Sequence, residues 1–363
     1  MEYRKLPHGG EEISVLGLGT SALCSAGEEE IAKTLDLAIE SGINHMDLAT
    51  ADGALFAPLG RALAGRREKM RLQLHFGADY SAGAYGWTLD RDAIRASVDW
   101  QLRNLQTDYI DFGFLHCIDE LSDLETAWGT LEEILRLKDQ GVVRRVGLSS
   151  HTPAVVNRLL EEKVLDLVMF SINPAYDYSA GGEFAIGGAQ ERMDLYRRCE
   201  AEGVGISVMK AFAGGQLLDA KRSPFGLALD RYQCIRYALD RPGVLTVLPG
   251  VRDRADLQAL LGYFDATAEQ TDYSVLGGVA PKAAEGVCVY CNHCAPCPMG
   301  LDVGLINKYY DLANMGDALA REHYRTLEKH ASDCVACGHC DSRCPFHVHQ
   351  VQRMQQIAAY FGQ

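Results

Sequence analysis

Residues 71–76 read RLQLHF, residues 91–106 read RDAIRASVDWQLRNLQ, and residues 109–116 read YIDFGFLH. The outer two are apolar runs of strand length and the middle one carries apolar residues at helical spacing, so the trio reads as strand, helix, strand. The alternation extends in both directions. Towards the N-terminus lie ISVLGLG (13–19), the helical stretch EEEIAKTLDLAIESG (28–42) and INHMDLA (43–49). Towards the C-terminus, VVRRVGLSS (142–150), LDLVMFSIN (165–173), VGISVMKA (204–211) and VLTVLPG (244–250) are separated by amphipathic stretches, several ending in a glycine suited to close a helix. Eight strand-helix units in series close into a parallel (β/α)8 barrel, the TIM-barrel architecture. The rival, an open doubly wound sheet, would carry a glycine-rich dinucleotide fingerprint after an early strand, and the full three-glycine G-x-G-x-x-G form is not found.

With 363 residues, 47% of them apolar, the chain can bury one barrel, commonly about 250 residues, and a small appendage. The barrel is expected over 1–266. Residues 267–287, TAEQTDYSVLGGVAPKAAEGV, follow neither a helical nor a strand period and read as a linker, leaving 288–363 as a C-terminal domain. No run reaches the roughly 18 apolar residues of a membrane span, and the opening MEYRKLPHGG lacks a signal peptide's apolar core, so a cytoplasmic location is expected. A formal charge of -14 with no Lys/Arg-rich run argues against nucleic acid or anionic membrane as partner.

Eight of the twelve cysteines fall in two runs, Cys288-x2-Cys291-x2-Cys294-x2-Cys297-Pro298 and Cys334-x2-Cys337-x2-Cys340-x3-Cys344-Pro345. Two-residue spacings let three thiolates curl round one 4Fe-4S cubane while the fourth, followed by Pro, reaches across to the other. Cys288, Cys291, Cys294 and Cys344 are therefore expected to hold one cluster, and Cys334, Cys337, Cys340 and Cys297 the other. The C-terminal domain is then a helical, two-cluster, ferredoxin-like unit. Zinc is the rival occupant, but zinc modules usually separate two Cys pairs by a longer loop. With four thiolates each, the clusters have no open iron to activate a substrate, which points to electron relay.

Barrel active sites sit at the C-terminal ends of the strands. Those ends offer Asp47 and Asp52, His75, His116 with Cys117, Ser149, Ser150 and His151, Asn173, Lys210, and Arg252. The opening YRKL with LGLGT, then GINHMDLA, LGRAL, DYIDFGFLH, VGLSS, VMKAFAGGQL and TVLPGVRDRADL, followed by both cysteine runs, resembles the aldo-keto reductases, in the branch with a C-terminal ferredoxin-like extension. The resemblance covers nearly the whole chain. It implies an Asp, Tyr, Lys, His tetrad in which Tyr protonates a carbonyl oxygen while NAD(P)H delivers hydride. Asp47 and His116 match two members, but Asp52 stands at the Tyr position and His75 at the Lys position. An aspartate is normally ionised at pH 7, so Asp52 would donate a proton only if burial or Asp47 raised its pKa.

The resemblance further assigns Ser149, Ser150, Asn173, Lys210, Gly250 and Arg252 to cofactor binding. Gly250 and Asp256 replace cations that many members set against a 2'-phosphate, which speaks against NADPH and leaves NAD(H) or a flavin. The chain is thus expected to be an oxidoreductase of an anaerobe. Its clusters would exchange electrons with a ferredoxin or flavodoxin, and a small molecule would react beside Asp47, Asp52, His75 and His116. Two readings stand against this: a metal-dependent enzyme using the same Asp and His residues, and a non-catalytic electron-transfer subunit.

Overall fold

A computed structural model describes residues 1–83, 85–178, 186–278, 286, 288–314 and 318–363, without the side chains of 318 and 319. Its main sheet has eight parallel strands: β1 (Leu18–Gly19), β2 (His45–Asp47), β3 (Arg71–Phe76), β4 (Ile110–Leu115), β5 (Val143–Ser150), β6 (Leu167–Ser171), β7 (Gly205–Met209) and β8 (Val244–Val247). They pair in chain order. Parallel bridges Leu16↔Val247 and Gly19↔Gly250 join the last strand to the first and close the ring. All eight expected strands are present, and the barrel expected from the sequence is the one observed.

Helices α1 (Glu28–Glu40), α2 (Phe56–Leu63), α3 (Arg91–Leu105), α4 (Trp128–Asp139), α5 (Pro153–Leu160), α6 (Ala189–Ala201), α7 (Arg231–Leu239) and α8 (Arg254–Leu261) alternate with the strands along the chain. Local chemistry sets their ends. The Asp90 carboxylate accepts from Ala93 N at 2.8 Å to start α3, and Pro153 opens α5, where its missing N–H costs nothing. In α1, Ile31, Leu35 and Ala38 bury one stripe while Glu28, Glu29 and Glu30 complement the positive end of the helix dipole.

Chain compactness groups the residues into two units. The first comprises 1–172, 204–211 and 245–267 and contains the barrel strands. Its N-terminal hairpin, Tyr3–Lys5 paired with Glu12–Ser14, brings Leu6 and Ile13 into one core with Phe112, Phe114, Met169 and Leu245. The second comprises 173–203, 212–244 and 268–363, so α6 and α7 group with the C-terminal helices α9 (Val303–Asn314), α10 (Ala318–Arg325), α11 (His339–Arg343) and α12 (Gln350–Phe361). Within the stretch read as a linker, Ala268–Thr271 is helical and Ser274–Gly278 forms a tight turn, while 279–285 and 287 lie outside the described residues. No helix among the described residues is long and apolar enough to cross a membrane.

In β5, a Cβ added at Gly147 would sit 2.4 Å from the Phe114 ring, so the barrel interior needs glycine there. Gly147→Ala should cost about 1–3 kcal/mol, read from the urea midpoint. Gly129→Ala in α4, where an added methyl meets nothing within 4 Å, should be neutral or slightly stabilising.

Candidate active site and cluster-binding region

Strand β3 is buried on both faces, yet it carries Gln73 and His75 two residues apart, hence on the same face. Both reach the Asp47 carboxylate at the end of β2: Gln73 Nε2 donates to Asp47 Oδ1 at 2.9 Å, and His75 Nε2 lies 2.7 Å from the same oxygen. The Gln73 carbonyl faces His45 Nε2 at 3.2 Å, and burial lowers the His45 pKa to about 4. On its other side, His75 Nδ1 lies 3.0 Å from His116 Nδ1, and His116 Nε2 lies 2.9 Å from the Tyr85 hydroxyl. Trp87, two residues on, donates its indole N–H to the His116 carbonyl at 3.3 Å.

The proton positions in this chain follow from one constraint, that a carboxylate oxygen only accepts. His75 therefore donates from Nε2, and in its neutral form it presents a bare Nδ1 to His116. Burial, reinforced by the neighbouring His75, pushes the His116 pKa well below its usual range, so this ring is neutral near pH 7. With His75 in that form, His116 donates from Nδ1 to it and accepts from Tyr85 at a bare Nε2. Burial raises the Tyr85 pKa, with Cys117 adding to it, so the phenol keeps its proton. Every donor in the row Tyr85, His116, His75, Asp47 points towards the carboxylate, which makes a path along which a proton can shift.

Asp47, His75 and His116 are thus brought together. Asp52 is not: it is exposed, and its Oδ1 accepts from Ala54 N at 2.8 Å to cap the turn Gly53–Leu55. Tyr85 escaped the sequence reading because a short ribbon, Ala78–Asp79 with Gly86–Trp87, folds it back onto His116, and spacing alone does not reveal that reach. Its one signal was a pair of aromatic residues, Tyr85 and Trp87, in a glycine-containing loop directly after a strand end.

A second polar group stands one residue along. Cys117, in the left-handed conformation with φ 49°, donates its thiol to Asp119 Oδ2 at 3.7 Å, and His151 Nδ1 lies 3.0 Å from that oxygen. The other oxygen, Oδ1, accepts from His151 N at 2.6 Å and Ser150 Oγ at 3.2 Å. Burial, with Asp119 adding to it, pushes the Cys117 thiol up to about 11. Among the described residues, one donor atom each from Cys117, Asp119 and His151 lie within 4.8 Å of one another.

The remaining residues assigned to a cofactor are scattered in role. Ser149 is buried, Lys210 has a left-handed backbone at φ 58°, and Gly250 bridges to Gly19. Asn173 caps the turn after β6 by accepting from Tyr176 N at 2.9 Å. Arg252 grips Asp256 in a fork, Nε to Oδ2 at 2.6 Å and Nη2 to Oδ1 at 2.8 Å, so the carboxylate expected to face a nucleotide is already engaged.

In the second unit the cysteines gather across the two runs. Cys297, Cys334, Cys337 and Cys340 line one pocket together with Leu301 and Met354. Burial raises the Cys294 thiol pKa strongly, and Cys288, Cys291 and Cys344 lie near enough to raise it further. No disulfide joins any of the twelve cysteines. Each gathering brings three thiols of one run to the fourth of the other, the donor set a 4Fe-4S cubane requires, so the residues present fit such clusters.

The comparisons agree with this division of labour. Residues 15–228 match the model described as the aldo/keto reductase family, and residues 286–348 match the 4Fe-4S dicluster domain. "Uncharacterized oxidoreductase YqkF" of Bacillus subtilis (strain 168) is 33% identical over 181 residues, 48% of this chain and 56% of that protein. "Aldo-keto reductase YhdN" of the same organism is 31% identical over 159 residues, 41% of this chain and 47% of that protein. The chain thus spans about half the length of these curated relatives. The solved aldo-keto reductase AKR11C1 from Bacillus halodurans in its holo form superposes with a TM-score of 0.64 at 24% identity, covering 77% of this chain and 97% of that one, a likeness of fold.

Anaerobically purified protein should contain about eight iron and eight acid-labile sulfide per chain. The gathering of thiols also fixes which ligands go together: Cys344→Ala and Cys291→Ala should each lose the same cluster's electron paramagnetic resonance signal. Cys297→Ala should lose the signal that Cys337→Ala loses.

Proposed function

We propose, from the premise that this chain belongs to the aldo/keto reductase family and carries a 4Fe-4S dicluster domain, that it is an oxidoreductase acting on a small molecule at the barrel mouth. The observation that carries this reading is the hydrogen-bonded row Tyr85, His116, His75, Asp47 at the strand ends. The clusters, when bound, exchange single electrons with an external carrier of the ferredoxin or flavodoxin class.

The chain's own residues handle the protons. Tyr85, protonated at neutral pH and half-exposed at the outer end of the row, is the group that meets substrate. Adding two electrons to a carbonyl requires two protons: the oxygen takes one from Tyr85, and the carbon takes the other from water. Oxidation runs the shift inwards: Tyr85 takes the alcohol proton as its own passes through His116 and His75 to Asp47, which ends protonated with the row reversed. Reduction starts from that reversed row and draws the proton back from the Asp47 carboxyl. Such acid-base help is typically worth about 100- to 10,000-fold in rate.

With reduced methyl viologen as donor and a panel of aldehydes and α-dicarbonyls as acceptors, the wild type should reduce at least one carbonyl. Tyr85→Phe should lower that rate about 100-fold or more with its iron content intact. Full activity in Tyr85→Phe, or viologen oxidation no faster than background with every carbonyl, counts against the reading.

For the nucleotide, Asp256 and its Arg252 partner support NAD(H) over NADPH, because a 2'-phosphate would have to break that fork and would still face a carboxylate. Calorimetric titration should therefore find NADPH bound no more tightly than NADH, and a bound flavin would appear as extra visible absorption in the purified protein. A metal-dependent reaction is the second reading, favoured by the grouping of Cys117, Asp119 and His151. Elemental analysis showing one equivalent of zinc or manganese beyond the cluster iron, lost in His151→Ala, would move the assignment there.

A further inference from the structure

Arg241 follows α7 and is only 1% exposed. A guanidinium keeps its charge at any accessible pH, and a charge this far from water normally has a counter-ion. Among the described residues no carboxylate forms an ion pair with it. The adjacent Asp240 is taken up elsewhere, by Arg236 at 2.9 Å and by the Tyr273 hydroxyl at 2.9 Å. What Arg241 does have is neutral: Nη2 donates to the Val289 carbonyl and, at 3.2 Å, to Tyr273, and the guanidinium stands 4.3 Å from the Tyr237 ring centre. Its Nε and Nη1 are buried and meet no acceptor. Two buried donors left in this way cost about 1–3 kcal/mol each, and more when charged, so an acceptor is missing from the account.

Val289 lies between Cys288 and Cys291, so Nη2 is anchored inside the first cysteine run. A 4Fe-4S cubane with four thiolates carries a net negative charge in both of its usual oxidation states, and its sulfurs accept hydrogen bonds. It would supply both the missing counter-ion and the missing acceptors.

We propose that Arg241, through Nε and Nη1, is the counter-ion and hydrogen-bond donor of the cluster held by Cys288, Cys291, Cys294 and Cys344, and that it raises that cluster's reduction potential. Reduction adds one negative charge, which a fixed buried cation stabilises. Among the described residues, no arginine or lysine lines the pocket of Cys297, Cys334, Cys337 and Cys340. The first cluster is therefore the better electron acceptor of the two. This rests on the cluster assignment above.

The test is a potentiometric titration of the anaerobic holoprotein followed by electron paramagnetic resonance, with Arg241→Gln and Arg241→Lys beside the wild type. Arg241→Gln should lower the reduction constant of the cluster lost in Cys344→Ala at least tenfold, about 59 mV for a one-electron couple. The other cluster should be unmoved, and Arg241→Lys should recover part of the shift. Arg241→Gln with eight iron and both potentials unmoved overturns the proposal. Should that variant fail to retain the cluster, pulsed resonance on wild-type protein containing 15N-arginine decides: a nitrogen coupling to one reduced cluster supports the proposal, and its absence overturns it. A wild type without iron would instead overturn the cluster assignment itself, a separate result.

Discussion

A charge taken out of water must be met inside the protein, and how this chain meets each one explains most of its polar architecture. Asp47 is the case on which the barrel mouth depends. Its buried carboxylate can only accept, so Gln73 and His75 must turn their donors inwards, and with His75 neutral the order of protons out to Tyr85 follows. Similar reasoning applies to Glu133, held by Arg91, Arg95 and Arg136. It applies also to Asp177, gripped by Arg192 at 2.8 Å and by the hydroxyls of Tyr196 and Tyr237 at 2.7 Å each.

In the second unit the same rule ties barrel-derived helices to the cluster region. Asp311 on α9 gathers Arg197 from α6, Arg353 from α12 and the Tyr290 hydroxyl beside Cys291. Lys308 reaches Glu200 at 3.0 Å, and the Tyr178 and Phe346 rings pack with centres 5.7 Å apart. These contacts, with Gln233 of α7 donating to the Asp272 carbonyl at 2.5 Å, join α6 and α7 to residues 268–363. Against that background Arg241 stands out, because its neighbours are well paired and it is not.

The strands were legible because a barrel strand is apolar on both faces, and RLQLHF became β3 without a residue's change. The crossed cysteine sets were legible because cubane chemistry dictates them from spacing. His75 could be read as a replacement at a strand end, since strand position fixes where it points. Asp52 and Tyr85 show where this stops. Both lie beyond the strands, where the loop path decides whether a side chain caps a turn or reaches a ring nitrogen. Gln73 was missed for another reason: a buried glutamine inside an apolar run carries no motif, although its two-residue spacing from His75 placed it on the same face.

The account turns on the direction of protons in the row that ends at Asp47. Two-dimensional 15N nuclear magnetic resonance of histidine-labelled, oxidised protein near pH 7 reads the tautomers directly. The expected result is His75 protonated at Nε2 alone and His116 protonated at Nδ1 alone. A His116 ring carrying its proton at Nε2, or a doubly protonated His75, would contradict the account.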